Sequence, residues 1–179
     1  NPKDLLETMM AGLKACGDRF EAGEYFLPEL MGAGEAFTVG MKVLAPALSP
    51  GDRTSQGTVV LGTVRGDVHD IGKCIVVSLM RANGFTVHDM GRDISTGKII
   101  EKAVDVGADI IGTSALLSTT MKCQKELETA LRAEGLRDRF KTIVGGAPVT
   151  PRWAARIGAD AYAKDANDGI TKVKELLGK

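Results

Sequence analysis

The stretch Asp67-Val68-His69-Asp70-Ile71-Gly72 holds the residues of this chain best suited to chemistry. The chain has only two histidines, and one of them stands here between two aspartates. A carboxylate that accepts one imidazole N–H fixes the tautomer and leaves the other nitrogen free to bind a metal. Asp67, two residues before His69, is placed to be that carboxylate. A single histidine cannot hold a bare zinc ion, and no second ligand stands nearby at a suitable spacing. A metal bound here has to arrive already chelated, inside a macrocycle that supplies the other ligands.

Other chemistries fit these residues less well. The run Gly66 to Lys73 has a Gly-Lys pair, but its first glycine is one residue too distant for a phosphate-cradling P-loop. Cys74 stands where such a loop needs a magnesium-binding hydroxyl. No G-x-G-x-x-G follows the first strand, which argues against a dinucleotide site. A phospho-accepting receiver needs an aspartate at the end of the third strand, where this chain has Thr113 and Ser114. Plainly structural roles stay open beside the chemical ones. Asp67 or Asp70 can cap the following helix, as Ser114 or Ser118 can cap a later one. Gly145 and Gly146 can form a simple turn, and Phe26 can act as a hydrophobic staple. His88, inside the strand pattern VHDM, reads as structural, and Cys16 and Cys123 read as core thiols.

The elements that position these residues follow from apolar patterning. Residues 1–48 are expected to be helical. Leu5, Met9, Leu13, Cys16 and Phe20 mark one helix face. Gly23 is a stop, and Pro28 suits the first turn of a second helix. That helix carries Phe26 or Leu27, then Leu30, Ala33, Phe37, Met41, Leu44 and Leu48 on one side. Residues 49–57 contain no large apolar side chain and read as a linker. From Thr58 onward strands are expected at 58–64, 85–90, 109–114, 141–145 and 160–163. Helices are expected at 72–83, 95–106, 118–134, 151–157 and 167–178. Short apolar strands without clean alternation suit a parallel sheet covered on both faces. The expected fold is α/β: a helical cap over residues 1–50, then a flavodoxin-like, Rossmann-like five-stranded parallel sheet over 57–179. In the strand order 2-1-3-4-5 the ligand crevice lies beyond the carboxyl ends of the first and third strands. The loops holding His69, Ser114 and Gly145-Gly146 would all face it.

Composition narrows the function. Of 179 residues, 44% are hydrophobic, and 23 basic side chains balance 23 acidic ones. That neutrality gives no electrostatic basis for binding nucleic acid or an anionic membrane. Aromatic residues at 4% are too few for platforms that stack single strands. Three scattered cysteines without a C-x-x-C pair suit a reducing cytoplasm. No apolar run approaches the ~20 residues that span a bilayer.

Asp67-Val68-His69-Asp70-Ile71-Gly72 also matches D-x-H-x-x-G, the signature of proteins that bind cobalamin base-off and His-on. Ser114-Ala115-Leu116 resembles that family's S-x-L motif, and Gly145-Gly146 its paired glycines. The N-terminal EAGEYFLPELM resembles the helical cap of corrinoid methyltransferase proteins, including the cobalamin module of methionine synthase. The resemblance thus covers nearly the whole chain. The family's cap is a four-helix bundle, of which two helices are expected here.

The resemblance implies roles residue by residue. His69 would be the lower axial ligand to cobalt, within a cofactor-binding loop made of Gly66, Asp67, Val68, His69, Asp70, Ile71 and Gly72. Asp67 would hydrogen-bond the imidazole, and Ser114 would extend the relay. The displaced nucleotide tail would pass Leu116, Ser118, Gly145 and Gly146 and end near Ala166. Phe26 would pack over the upper face of the corrin. The implied function is a methyl shuttle: Co(I) takes a methyl group from a donor-specific methyltransferase, then yields it to tetrahydrofolate or a thiol on an acceptor methyltransferase. A reductive activase would be the third partner. Such a shuttle turns over nothing alone. Two alternatives share the loop signature: the cobalamin subunit of an adenosylcobalamin mutase, which lacks the cap, and a cobalamin-sensing regulator, which needs an output domain.

Overall fold

The computed structural model describes residues 1–47 and 55–179. Two long helices open the chain, α1 (Pro2–Glu21) and α2 (Leu27–Leu44). Asn1 caps α1 by accepting the Lys3 N–H, and Gly23 ends it with a φ of 75° that other residues rarely adopt. Pro28 sits in the first turn of α2, where its missing N–H costs nothing. The pair packs through Leu6 and Leu44, with Met9, Met10, Phe37 and Met41 around them. The expected α1 face is off at one position: Leu5 is 58% exposed, whereas Leu6, Leu13 and Gly17 are buried. Gly17 faces Leu79 and Ala82, so this side of α1 packs toward the α/β region. Leu48 and most of the expected linker lie outside the described residues.

The rest alternates strictly: β1 (Thr58–Thr63), α3 (Ile71–Ala82), β2 (Thr86–Asp89), α4 (Thr96–Asp105), β3 (Ile110–Ser114), α5 (Lys122–Ala133), β4 (Lys141–Gly145), α6 (Pro151–Ile157), β5 (Ala161–Ala163) and α7 (Ala166–Leu176). All strands are parallel, in the order β2-β1-β3-β4-β5, as the patterning predicts. Alternate residues serve opposite faces. Val59, Leu61, Ile110 and Ile143 pack with α3, with Ile170 and Val173 of α7, and with Leu30 of α2. Val60 and Ile111 meet Ile99, Ile100 and Ala103 of α4 and Leu127 and Leu131 of α5. The strands are therefore buried on both sides, which is why their sequences do not alternate.

One helix begins later than expected. Residues 118–134 were the predicted span, but α5 starts at Lys122. The preceding residues form a turn closed by bonds from the Thr120 and Met121 N–H groups to the Leu117 carbonyl. Neither Ser114 nor Ser118 caps this helix, whose N-cap position is Met121.

Register sets the site. Thr63 pairs with Ser114, Ser114 with Gly145, and Gly145 with Ala163. Four strands thus end level, and the loops that follow them emerge side by side.

Candidate corrinoid site

The loop after β1 carries Asp67 and His69. Asp67 is fully buried (0% exposed), yet its carboxylate is well served. One oxygen, Oδ1, accepts from the His69 backbone N–H at 3.1 Å and from His69 Nδ1 at 2.8 Å. The other, Oδ2, accepts from the Leu116 N–H at 2.7 Å, the Leu117 N–H at 3.3 Å and the Thr120 hydroxyl at 2.8 Å. Burial alone would raise the carboxyl pKa. The bonds from Thr120, His69 and Leu116 outweigh it and hold the group well below the usual carboxylate range. Asp67 is therefore an anion, and an anion accepts only. The 2.8 Å contact therefore places a proton on His69 Nδ1, so that in the neutral imidazole Nε2 is the nitrogen that carries the lone pair. The His69 side chain is 48% exposed, so this nitrogen is accessible.

The surroundings of His69 are apolar and open. Val68 and Ile71 flank it in sequence, and Leu116 and Leu117 come from the loop that Asp67 grips. All four are exposed large hydrophobic residues. A cleft of ≈ 740 Å³ begins at His69 and runs between α3, α7 and the sheet. Its walls include Leu61, Ile75, Val76 and Ile143, and glycine provides much of the remaining surface. Gly72, Gly112, Gly145, Gly146 and Gly169 all line it. A Cβ on Gly112 would meet a Leu61 methyl at 2.2 Å, and one on Gly146 would meet the Ala115 carbonyl oxygen at 1.9 Å. At Gly72 a Cβ would meet nothing within 4 Å.

Most of the residues singled out in the sequence come together here. Val68, His69, Asp70, Ile71, Gly72, Ser114, Leu116, Gly145, Gly146 and Ala166 line the cleft. Asp67 stands behind His69, and Gly66 precedes it with a φ of 80°. Asp70 occupies the N-cap position of α3 without a side-chain bond there. Ser118 is exposed and does not line the cleft. Phe26, between the cap helices, is 72% exposed and also lies off the cleft wall. The relay expected through Ser114 is not the one observed: the hydroxyl on Asp67 belongs to Thr120, and among the described residues no bond joins Ser114 to Asp67. His88 is half-buried in β2, and burial together with Lys102 and Arg81 pushes its pKa down. It takes no part in this cleft.

Three contributions went unread in the sequence. Thr120 carried no signal beyond a polar cluster. Gly112 did: a glycine inside the apolar strand DIIGTS marks a close approach. Lys73 looks like a solvent-facing helix residue, yet it is buried at the cleft wall and ion-pairs with Asp89.

The metal chemistry matches the donor set. Among the described residues no group of three or more His, Cys, Asp or Glu could hold a metal ion. One oriented imidazole beside an apolar platform suits a metal that brings its own equatorial ligands. Comparison with known proteins agrees. Residues 57–171 match the B12 binding domain family, and residues 1–45 match a second B12 binding domain model.

The chain belongs to the B12-binding corrinoid proteins.

It is 48% identical to the dimethylamine corrinoid protein of Methanosarcina barkeri, over 98% of this chain and 84% of that one. The corrinoid-protein fold recurs in solved structures. A chain of the methanol:cobalamin methyltransferase complex from Methanosarcina barkeri superposes with a TM-score of 0.88 at 29% identity, covering 99% of this chain and 68% of that chain. The monomethylamine corrinoid protein of Methanosarcina barkeri gives 0.64 at 38% identity, covering 94% and 80%. The cofactor of this corrinoid protein is thus a cobalamin-type macrocycle. No helix among the described residues is long and apolar enough to cross a membrane.

Proposed function

We propose that this corrinoid protein is the methyl carrier of a multi-component methyltransferase, with His69 as the axial ligand. One observation carries the assignment of the ligand. His69 Nδ1 lies 2.8 Å from the buried Asp67 carboxylate, which leaves Nε2 free at the mouth of the cleft. Bound corrinoid supplies a cobalt centre that accepts a methyl cation and yields it to a nucleophile. The protein's share is binding, orientation and proton control.

The loops divide this work. Val68, Ile71, Leu116 and Leu117 offer an apolar seat for the macrocycle. The glycine-lined cleft between α3 and α7 takes the displaced nucleotide tail, with Gly145, Gly146 and Ala166 along its wall. His69 Nε2 would hold the metal, and the Asp67 carboxylate on Nδ1 would keep the ring oriented toward it. Thr120 and the Leu116 amide keep the Asp67 charge in place. The helices α1 and α2 pack on α3 and form part of a cap over residues 1–50, above the α/β region of 57–179. The exposed Phe26 belongs to that cap and would be available to cover a bound corrin. A mutase subunit lacks this cap, and the similarity over nearly the whole chain to a dimethylamine corrinoid protein supports the carrier reading.

Partners follow from the chemistry. A donor-specific methyltransferase loads the carrier, an acceptor methyltransferase unloads it to tetrahydrofolate or a thiol, and a reductive activase rescues oxidised cobalt. Similarity to a protein named for dimethylamine supports a methylated amine as the donor. The test begins with protein reconstituted with hydroxocobalamin, reduced, and exposed to methyl iodide. Methyl uptake is followed by absorbance, and axial nitrogen by EPR of the Co(II) form. His69→Ala should retain corrinoid weakly and lose the nitrogen splitting. Unchanged splitting in that variant would remove His69 as the ligand.

A further inference from the structure

The histidine loop is held by a neighbouring loop that none of the motifs includes. Asp93 is the only non-glycine residue with positive φ among the described residues, at 57°. Left-handed backbone disfavours any side chain, though aspartate tolerates it better than most. A residue kept there is held by its surroundings, and such strain gathers at functional sites. In this conformation Asp93 makes two bonds to the same short segment. Its N–H donates to the Asp67 carbonyl at 3.0 Å. Its carboxylate Oδ1 accepts from the Gly66 N–H at 2.7 Å. The two bonds fall on either side of the Gly66–Asp67 unit and fix its backbone orientation.

Neighbouring contacts extend the grip. The Ile94 N–H donates to the Thr63 carbonyl at 3.0 Å, and Val64 and Ile94 form a parallel bridge. The Thr63 hydroxyl donates in turn to the His69 carbonyl at 3.2 Å. On the far side of His69, the buried Lys73 is paired with Asp89, which also accepts from the Gly91 N–H at 2.9 Å. Segment 89–94 therefore brackets the histidine loop from both flanks.

We propose that Asp93 is a positioning residue for axial ligation: by fixing the Asp67 backbone it fixes the carboxylate that orients His69. The inference rests on the carrier reading above. Asp93 itself touches neither His69 nor the cleft wall. What it controls is the fraction of protein with His69 on cobalt, and the tautomer of His69 before any cofactor binds.

Three variants separate backbone strain from the carboxylate. Asp93→Gly adopts the same φ freely and keeps the N–H bond, but has no acceptor for Gly66. Asp93→Asn keeps an acceptor oxygen and tolerates the conformation. Asp93→Ala lacks the acceptor and adds strain. Protein labelled with 15N-histidine gives two readouts. In cofactor-free protein, long-range 1H–15N spectra report the tautomer. After reconstitution with hydroxocobalamin and reduction, Co(II) EPR shows a doublet where protein histidine is bound, and the His-on fraction is measured from it. Asp93→Gly and Asp93→Ala should lower the His-on to His-off ratio about tenfold and admit the second tautomer, as loss of one charge-assisted bond allows. Asp93→Asn should stay close to the unaltered protein. If Asp93→Ala does not fold, Asp93→Gly carries the test. A lower melting temperature in Asp93→Gly with unchanged ligation and tautomer would reduce Asp93 to a structural turn and overturn the proposal. Absence of the doublet from the unaltered protein would instead overturn the His69 assignment, and this inference with it.

Discussion

The Thr120 hydroxyl donates to the Asp67 carboxylate at 2.8 Å across 53 positions of sequence. It joins the loop after β3 to the loop after β1 beneath His69. The Leu117 carbonyl also lies 2.8 Å from this oxygen, but the hydroxyl has one proton to give, and the charged carboxylate is the stronger acceptor. Thr120 thus links two neighbouring loops into a single support.

Replacing Thr120 therefore tests the support directly. Thr120→Val keeps the shape and removes the donor. A buried charge that loses one bond should cost about 1–3 kcal/mol of stability. Thr120→Ser should restore most of it. Urea unfolding of the three proteins measures the difference, and equal midpoints would show that the His69, Leu116 and Leu117 amides suffice for Asp67.

The pH dependence follows from the depressed pKa of Asp67. The folded state favours the ionised form. Its contribution to stability is complete above the unfolded carboxyl value of about 3.9 and is lost as pH falls toward the lower folded value. Asp67→Asn cannot ionise and lacks this term. The stability gap between the two proteins should be widest near neutral pH and should narrow below about pH 4. Urea titrations at both ends of that range decide it; a gap that widens in acid would mean the sign is wrong.

Two glycines of the cleft should respond in opposite ways. A Cβ on Gly146 would lie 1.9 Å from a backbone oxygen, and its φ of 123° suits glycine alone. Gly146→Ala should destabilise the fold by about 2 kcal/mol or more. Gly72 stands in the first turn of α3 with open space before it. Gly72→Leu should leave the melting temperature unchanged or raised, because leucine is the better helix former. Its side chain would project into the cleft and weaken corrinoid binding about tenfold, a loss of ~1.4 kcal/mol. Thermal melts paired with cobalamin titrations separate the two effects. Full binding by Gly72→Leu would show that the tail does not pass this point.

Much of the fold was legible because its periods are local. Apolar runs such as VVLGT and DIIGT, each followed by a turn and a helical pattern, mark βα units wherever they fold. The one helix misjudged at its start, α5, shows the limit. Serine and threonine at 118–120 are compatible with a helix, but here Leu116, Leu117 and Thr120 all bond the distant Asp67 carboxylate, and the segment closes as a turn on the Leu117 carbonyl. Leu5 and Leu6 show it again. Both fit a helical stripe, and the packing of α1 on α2, where Leu6 meets Leu44, decides which one is buried.

By itself the sequence pointed to the class of chemistry through resemblance, because Asp67-Val68-His69-Asp70-Ile71-Gly72, Ser114-Ala115-Leu116 and Gly145-Gly146 are short segments that match the cobalamin-binding pattern in the same order. It also determined the sheet and the candidate loops at one end of it, because strand patterning and loop composition are properties of short segments. The tertiary structure alone decided which groups complete the Asp67 shell. Those donors come from Leu116, Leu117 and Thr120, about fifty residues away. It also decided that Lys73 faces inward and that Asp93 grips Gly66 from 27 positions off. Hydrogen bonds of this kind depend on distances within a few tenths of an ångström between loops whose separation along the chain is arbitrary. No periodicity records them, and they form only once the parallel strands have brought the loop ends level.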